Sequence, residues 1–137
     1  MSFFYVDSSA IVKLIWSEAE SSALAEFVLS DERSAKTLIT SAVSRIEVLR
    51  ATRRRDGSLL SRAREVLETF SEFEITEGIM ETAAMVGSPN LRTLDAIHLA
   101  TAMENASGMR ALITYDTRLA QAARELGLPV ASPGMAA

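Results

Sequence analysis

Four acidic residues of this chain stand where they could do chemistry together, two at the ends of apolar runs and two set among apolar residues. Asp7 ends the apolar run FFYV and Asp116 follows ALITY, while Glu47 lies within SRIEVLRA and Asp95 within TLDAIHLATA. Short continuous apolar runs read as buried parallel strands, and open α/β sheets bind their ligands at the carboxyl ends of such strands. Asp7 and Asp116 are therefore expected at one sheet edge. Glu47 and Asp95, each set among apolar residues, would be costly to bury without a cation or hydrogen bonds. Carboxylates converging in this way make a site for a hard divalent cation, Mg²⁺ or Mn²⁺, which prefers carboxylate oxygen and water.

Taken singly, each acid has a structural explanation. Asp7 can begin a turn before Ser8 and Ser9, Asp116 can cap a helix through TRLAQAARELG, and Asp95 suits the first turn of a helix. Their joint placement is what points to chemistry. Carboxylates held close together raise one another's pKa and destabilise the fold until a cation neutralises them.

The elements that must carry these residues alternate β and α. After FFYV, Ser8 or Ser9 is expected to cap a helix through AIVKLIW, and SEAESSALAEFVLSDER reads as a second amphipathic helix. TLITS is the next strand. A helix through AVSRIEVLRATRRR carries Glu47, and its Val43, Ile46, Val48 and Leu49 predict that it is largely buried; it stops at Asp56-Gly57. SLLSRAREVLETFSEF repeats apolar residues at helical spacing, FEI is a brief strand, and TEGIMETAAMV is a helix closed by Gly87-Ser88-Pro89. Thr93 is placed as the N-cap of DAIHLATAMENA, which puts Asp95 in the first turn. ALITYD is a strand, TRLAQAARELG the last helix with Gly127 as terminator, and PVAS a short final strand. Such alternation predicts a parallel sheet flanked by helices.

At 137 residues the chain suits one domain, and its 48% hydrophobic and 23% charged residues match an ordinary globular balance. Cysteine is absent, which excludes disulfides and thiolate metal sites. No apolar run approaches a membrane span and no signal core precedes FFYV, so a soluble, cytoplasmic protein is expected. The net charge of −4, from 18 acidic and 14 basic residues, disfavours nucleic acid taken alone. Distribution matters more than the sum. The only lysines are Lys13 and Lys36, and Arg50, Arg53, Arg54 and Arg55 crowd one segment, either as a solvated helix end or as a contact for an RNA backbone or an acidic partner.

The segments DSSAIVKL, SRIEVLRA, LDAIHLATA and ITYDTRLAQAA, in this order and spacing across nearly the whole chain, resemble the signature segments of PIN-domain ribonucleases. The similarity is closest to the VapC toxins of bacterial toxin–antitoxin pairs. It implies a three-layer α/β/α sandwich around a short, mostly parallel sheet; the length predicts a single domain, set at residues 1–132, and the last residues, 133–137, are expected to fray. The resemblance implies an acidic quartet of Asp7, Glu47, Asp95 and Asp116, supported by the hydroxyls of Ser9 and Thr114. Asp7 and Asp95 would ligate Mg²⁺ or Mn²⁺ directly, and Glu47 and Asp116 directly or through water. The implied reaction is RNA hydrolysis leaving a 5′-phosphate and a 3′-hydroxyl, by a homodimer that a small VapB-like antitoxin inhibits by covering the acidic groove.

Lys13 and Arg92 are candidates for substrate phosphates or a partner's acids. His98, flanked by Ile97 and Leu99, is expected to pack a helix rather than to catalyse. Met80, Met85 and Met103 read as core filler, and Tyr5 and Trp16 as either core or partner-facing. Two other readings stand beside this one. An aspartate-based phosphatase would want an aspartate where Ser9 stands, and a receiver-like phosphotransfer domain would want a lysine where PVAS has none. A PIN fold that has lost activity and serves as a binding module would keep the fold without needing the acids.

Overall fold

The structure, a computed structural model, describes residues 2–29 and 37–135. Its elements run β1 (Phe3–Val6), α1 (Ser8–Ile11), α2 (Ser21–Leu29), β2 (Leu38–Ser41), α3 (Ala42–Asp56), α4 (Leu60–Glu68), β3 (Ser71–Phe73), α5 (Glu77–Met85), α6 (Thr93–Glu104), β4 (Met109–Ile113), α7 (Thr117–Glu125) and β5 (Val130–Ala131). All five strands pair in parallel, in the order β3-β2-β1-β4-β5. β1 is thus the central strand, and chain direction across the sheet reverses on either side of it. That reversal opens a crevice at the carboxyl ends of β1 and β4.

The continuous apolar run of β1 is explained by burial on both faces. Side chains alternate across a strand, so Phe4 and Val6 pack with Ile11, Leu24, Val48 and Leu67 of α1 to α4, whereas Phe3 and Tyr5 pack with Leu99 of α6 and Leu119 of α7. Helices therefore cover both faces, as the expected sandwich requires. α5 packs on α6 as an outer element.

Several local expectations are corrected. Asp7 itself caps α1, accepting from the Ala10 N–H, so neither Ser8 nor Ser9 does. The helix predicted through AIVKLIW is only one turn of α-helix followed by a 3-10 turn at Val12–Leu14, whose end is tied down by Arg62 donating to the Leu14 and Ile15 carbonyls. Thr93 is the first helical residue of α6, and Arg92 holds the cap position without a side-chain capping bond to the helix amides. β3 lies two residues earlier than FEI, because Ser71–Phe73 pairs with Ile39–Ser41. α3 is half-buried rather than largely buried: Val43, Ser44, Val48 and Thr52 face the core, whereas Ile46 is 62% exposed. Met80 and Met85 are exposed and not core filler.

Gly127 does terminate α7 with a positive φ of 76°. In the tail, Tyr115 Oη donates to the Pro133 carbonyl and a turn bond joins Met135 to Ser132. The SDER end of the second predicted helix, Lys36, and Ala136 and Ala137 lie outside the described residues.

Candidate active site

Asp7 is the hub of the crevice. Burial leaves it 3% exposed at the end of β1, where Ser9 Oγ (2.7 Å) and the Ala10 N–H (3.1 Å) donate to Oδ1 and Thr114 Oγ1 (2.5 Å) donates to Oδ2. Ser9 in turn accepts from the Tyr115 N–H (2.9 Å) and Thr114 from the Asp116 N–H (3.1 Å). These bonds sew the start of α1 to the end of β4. The two small hydroxyls singled out in the sequence, Ser9 and Thr114, thus both contact the Asp7 carboxylate.

Asp116 caps α7, its Oδ1 accepting from the N–H groups of Arg118 (2.9 Å) and Leu119 (3.1 Å). Its structural role and its place at the site coexist, since Oδ2 remains turned toward Arg92. Asp95, in the first turn of α6 and 8% exposed, faces the same space. The Arg92 guanidinium bridges the two acids, Nε to Asp95 Oδ2 and Nη2 to Asp116 Oδ2, at 3.4 Å each. Glu47 enters from α3 and accepts from His98 Nε2 at 2.7 Å. All four acids, with Ser9 and Arg92, line one cleft of about 280 Å³.

Electrostatics follow from this crowding. Burial pushes the Asp7 carboxyl above the ordinary carboxylate value, against the lowering effect of His98 and its hydrogen bonds. Burial, reinforced by the charge of Asp116, does the same to Asp95, partly offset by Arg92. The fold thus holds carboxyls that are short of positive charge. The donor set suits a hard cation, being entirely carboxylate and hydroxyl oxygen, and the guanidinium between Asp95 and Asp116 marks where a cation is already accepted. With Arg92 there and Glu47 turned to His98, no three His, Cys, Asp or Glu side chains among the described residues stand as a ready-made cage.

Two expectations change. Lys13 does not line the cleft; it pairs with Glu18 (3.1 Å) and Glu20 (2.7 Å) and lies over the Tyr115 ring. His98 is buried as expected, yet it is bonded at both ring nitrogens, to Glu47 and to Tyr5, so packing alone does not describe it. Arg92 was anticipated as a phosphate or partner contact, and its bridge between two acids was not.

The fold and this acidic edge define a PIN domain, and the PIN domain family model matches residues 4–125. Ribonuclease VapC35 of Mycobacterium tuberculosis is 46% identical over 134 residues, covering 96% of this chain and 98% of that protein. Ribonuclease VapC46 of the same organism is 38% identical over 133 residues, covering 97% and 99%. Among solved structures, M. tuberculosis VapC20, described as a sarcin–ricin loop cleaving toxin, superposes with a TM-score of 0.73 at 17% identity over 96% of this chain and 100% of that one. A toxin–antitoxin complex from Klebsiella pneumoniae gives 0.67 at 24% identity over 95% and 97%. The chain belongs to the VapC ribonucleases of the PIN-domain family.

Proposed function

We propose that this protein is a divalent-cation-dependent endoribonuclease that hydrolyses RNA phosphodiester bonds, with Asp7, Glu47, Asp95 and Asp116 as its catalytic acids. The observation that carries this reading is the convergence of four carboxylates from β1, α3, α6 and the end of β4 on one cleft. Asp7 and Asp95 would hold Mg²⁺ or Mn²⁺ directly, and Glu47 and Asp116 directly or through water. When bound, the ion supplies Lewis acidity toward water and compensates charge on the phosphodiester.

The chain's own residues set the geometry. Ser9, Thr114 and the Ala10 N–H hold both Asp7 oxygens in place, so the carboxylate is preorganised rather than ordered on binding. The amide groups at the start of α7 hold one oxygen of Asp116, Oδ1, in place. Arg92, with a side chain 66% exposed, occupies the space between Asp95 and Asp116. Its departure opens that space and leaves a planar fork beside the cleft, suited to the oxygens of an RNA phosphate. Neither Tyr5 nor His98 is asked to act as a nucleophile; the attacking group is water.

Arg50 and Arg54 line an adjoining groove with Ile46, Glu47 and Leu94, and form no ion pair among the described residues. They offer cationic anchors to an RNA backbone or to an acidic partner segment. We assign the protein an antitoxin that covers the acidic cleft. The fit of Arg92 between two acids supports inhibition by a partner arginine inserted at the same place, competing with the cation. A homodimer is part of this reading, with exposed Ile46, Leu94, Met80 and Met85 as apolar surface for it. No helix of the described residues is long and apolar enough to cross a membrane.

Mapping the ends of cut RNA tests the reaction. Purified protein incubated with structured RNA and Mg²⁺ should yield 5′-phosphate and 3′-hydroxyl ends, and EDTA should stop cleavage reversibly. Cyclic phosphate ends, or cleavage indifferent to EDTA, would mean that a ribose 2′-hydroxyl attacks and the acids do not hold a catalytic ion.

A further inference from the structure

Behind the acidic cleft runs a buried chain of hydrogen bonds that the reaction as described does not use. The Tyr5 hydroxyl lies 2.7 Å from His98 Nδ1, and His98 Nε2 lies 2.7 Å from Glu47 Oε1. Tyr5 is fully buried and His98 is 2% exposed. Their rings meet edge-on with centroids 5.8 Å apart, and Tyr5 stacks on Phe73 at 6.4 Å. Neither ring can turn without displacing its neighbours in a close-packed interior.

The four acids are unequally held. Asp7 accepts three hydrogen bonds and Asp116 accepts two from the start of its own helix. Glu47 has the longer side chain and comes from α3, on the opposite face of the sheet from α6. Among the described residues His98 Nε2 is the only hydrogen-bond partner of its carboxylate. Without that bond nothing polar directs Glu47 into the cleft.

We propose that Tyr5 and His98 are positioning residues for Glu47: His98 donates its Nε2–H to the carboxylate, and Tyr5 holds the imidazole in the tautomer that puts the hydrogen there. A neutral imidazole carries one N–H, and a hydroxyl hydrogen directed at Nδ1 makes that nitrogen the acceptor. The ring hydrogen then sits on Nε2, facing Glu47. The opposite tautomer would turn a lone pair toward a carboxylate. Such outer partners fix the orientation of the groups that act directly.

The placement in the chain gives the pair its reach. Tyr5 stands two residues before Asp7 on β1, and His98 three residues after Asp95 on α6. The relay therefore ties the one acid from the far helical layer to the two elements that carry the expected direct ligands. This inference rests on the proposed nuclease reading for its effect on activity, and its test includes a measurement that needs neither metal nor RNA.

The chain contains a single histidine, so its ¹⁵N imidazole resonances need no assignment by mutation. Burial disfavours the charged ring, but the bond to Glu47 and the acids around it hold the His98 pKa above the ordinary imidazole value, so the metal-free wild type is read at a pH alkaline enough for a neutral ring: Nε2 should carry a hydrogen protected from exchange and Nδ1 should report an acceptor. Glu47→Gln should weaken the protection, and Tyr5→Phe should shift the ring toward a mixture of tautomers. In cleavage assays at saturating RNA, His98→Leu should lower kcat by about 10–100-fold. His98→Gln, whose amide can donate from nearly the same place, should recover most of it. Stability should run the other way, since leucine suits a buried site better than an amide does. A merely structural histidine would make activity follow stability, and that result would overturn the proposal. So would an Nε2 without hydrogen in the wild type, or wild-type kcat in both His98→Leu and Tyr5→Phe. If His98→Leu does not fold, Tyr5→Phe decides: an unchanged tautomer with unchanged kcat overturns the positioning role. A wild type that cleaves no RNA would sink the nuclease reading alone, because the resonances would still report the Tyr5–His98–Glu47 bonds.

Discussion

Asp7→Asn and Asp95→Asn should each reduce RNA cleavage by at least about 10²-fold, and nearer 10³-fold, while leaving the protein folded. Loss of one preorganised group that acts on developing charge costs on this order, more than the loss of most outer partners. Asparagine keeps the shape of the side chain. At position 7 its amide oxygen can still accept from Ser9 and the Ala10 N–H, and Thr114, a hydroxyl, can turn to accept where it formerly donated. The charge alone is removed. Cleavage rates against a mock purification, with circular dichroism to check the fold, provide the measurement. Wild-type rates in either variant would show that the acid is only a helix cap or a turn residue.

The second large effect is on stability, because burial raises the carboxyl pKa values of Asp7 and Asp95 in the folded state. A folded value above the unfolded one means that these groups contribute stability below the unfolded pKa of about 4. That contribution is lost as pH rises through the folded values. In EDTA, the stability advantage of Asp95→Asn over wild type should therefore grow as pH rises from the unfolded carboxyl value of about 4 through the raised folded one. A Mg²⁺ held by the cleft, as proposed, would supply the missing positive charge at neutral pH. At ten times its Kd it should add about 1.4 kcal/mol, a rise in melting temperature of roughly 4–6 °C for a chain of this size. Asp116→Asn should respond less. Equal rises in wild type and Asp116→Asn would place the cation elsewhere.

The positions of Asp7 and Asp116 were legible because strand ends are visible in sequence: an apolar run buried on both faces stops abruptly, and the next residue is at the edge. Glu47 and Asp95 were legible as carboxylates on apolar backgrounds, which was enough to group them with the two strand-end acids; the resemblance to a known family then named the four as one quartet. The role of His98 was not, because Ile97 and Leu99 beside it make it look like packing. Its partners lie 51 and 93 residues away in the chain, and local periodicity carries no record of such contacts. Arg92 was visible only as a cation, since the distance from α6 to the start of α7 is a property of the fold. Ile46 misled for a simpler reason. An isoleucine on a helix reads as core, and only the packing of α3 shows that the buried stripe is Val43, Ser44, Val48 and Thr52. Exposed apolar side chains are common enough that residue type cannot separate them from the interior.

The most direct test of the acidic cleft is anomalous diffraction from crystals grown or soaked with Mn²⁺. The expected map has a Mn²⁺ peak within ligating distance of the Asp7 and Asp95 carboxylates, with Arg92 displaced from between Asp95 and Asp116. A well-occupied Mn²⁺ elsewhere in the molecule, with Arg92 still bridging the two acids in a preparation that cleaves RNA, would contradict a catalytic ion held by this quartet.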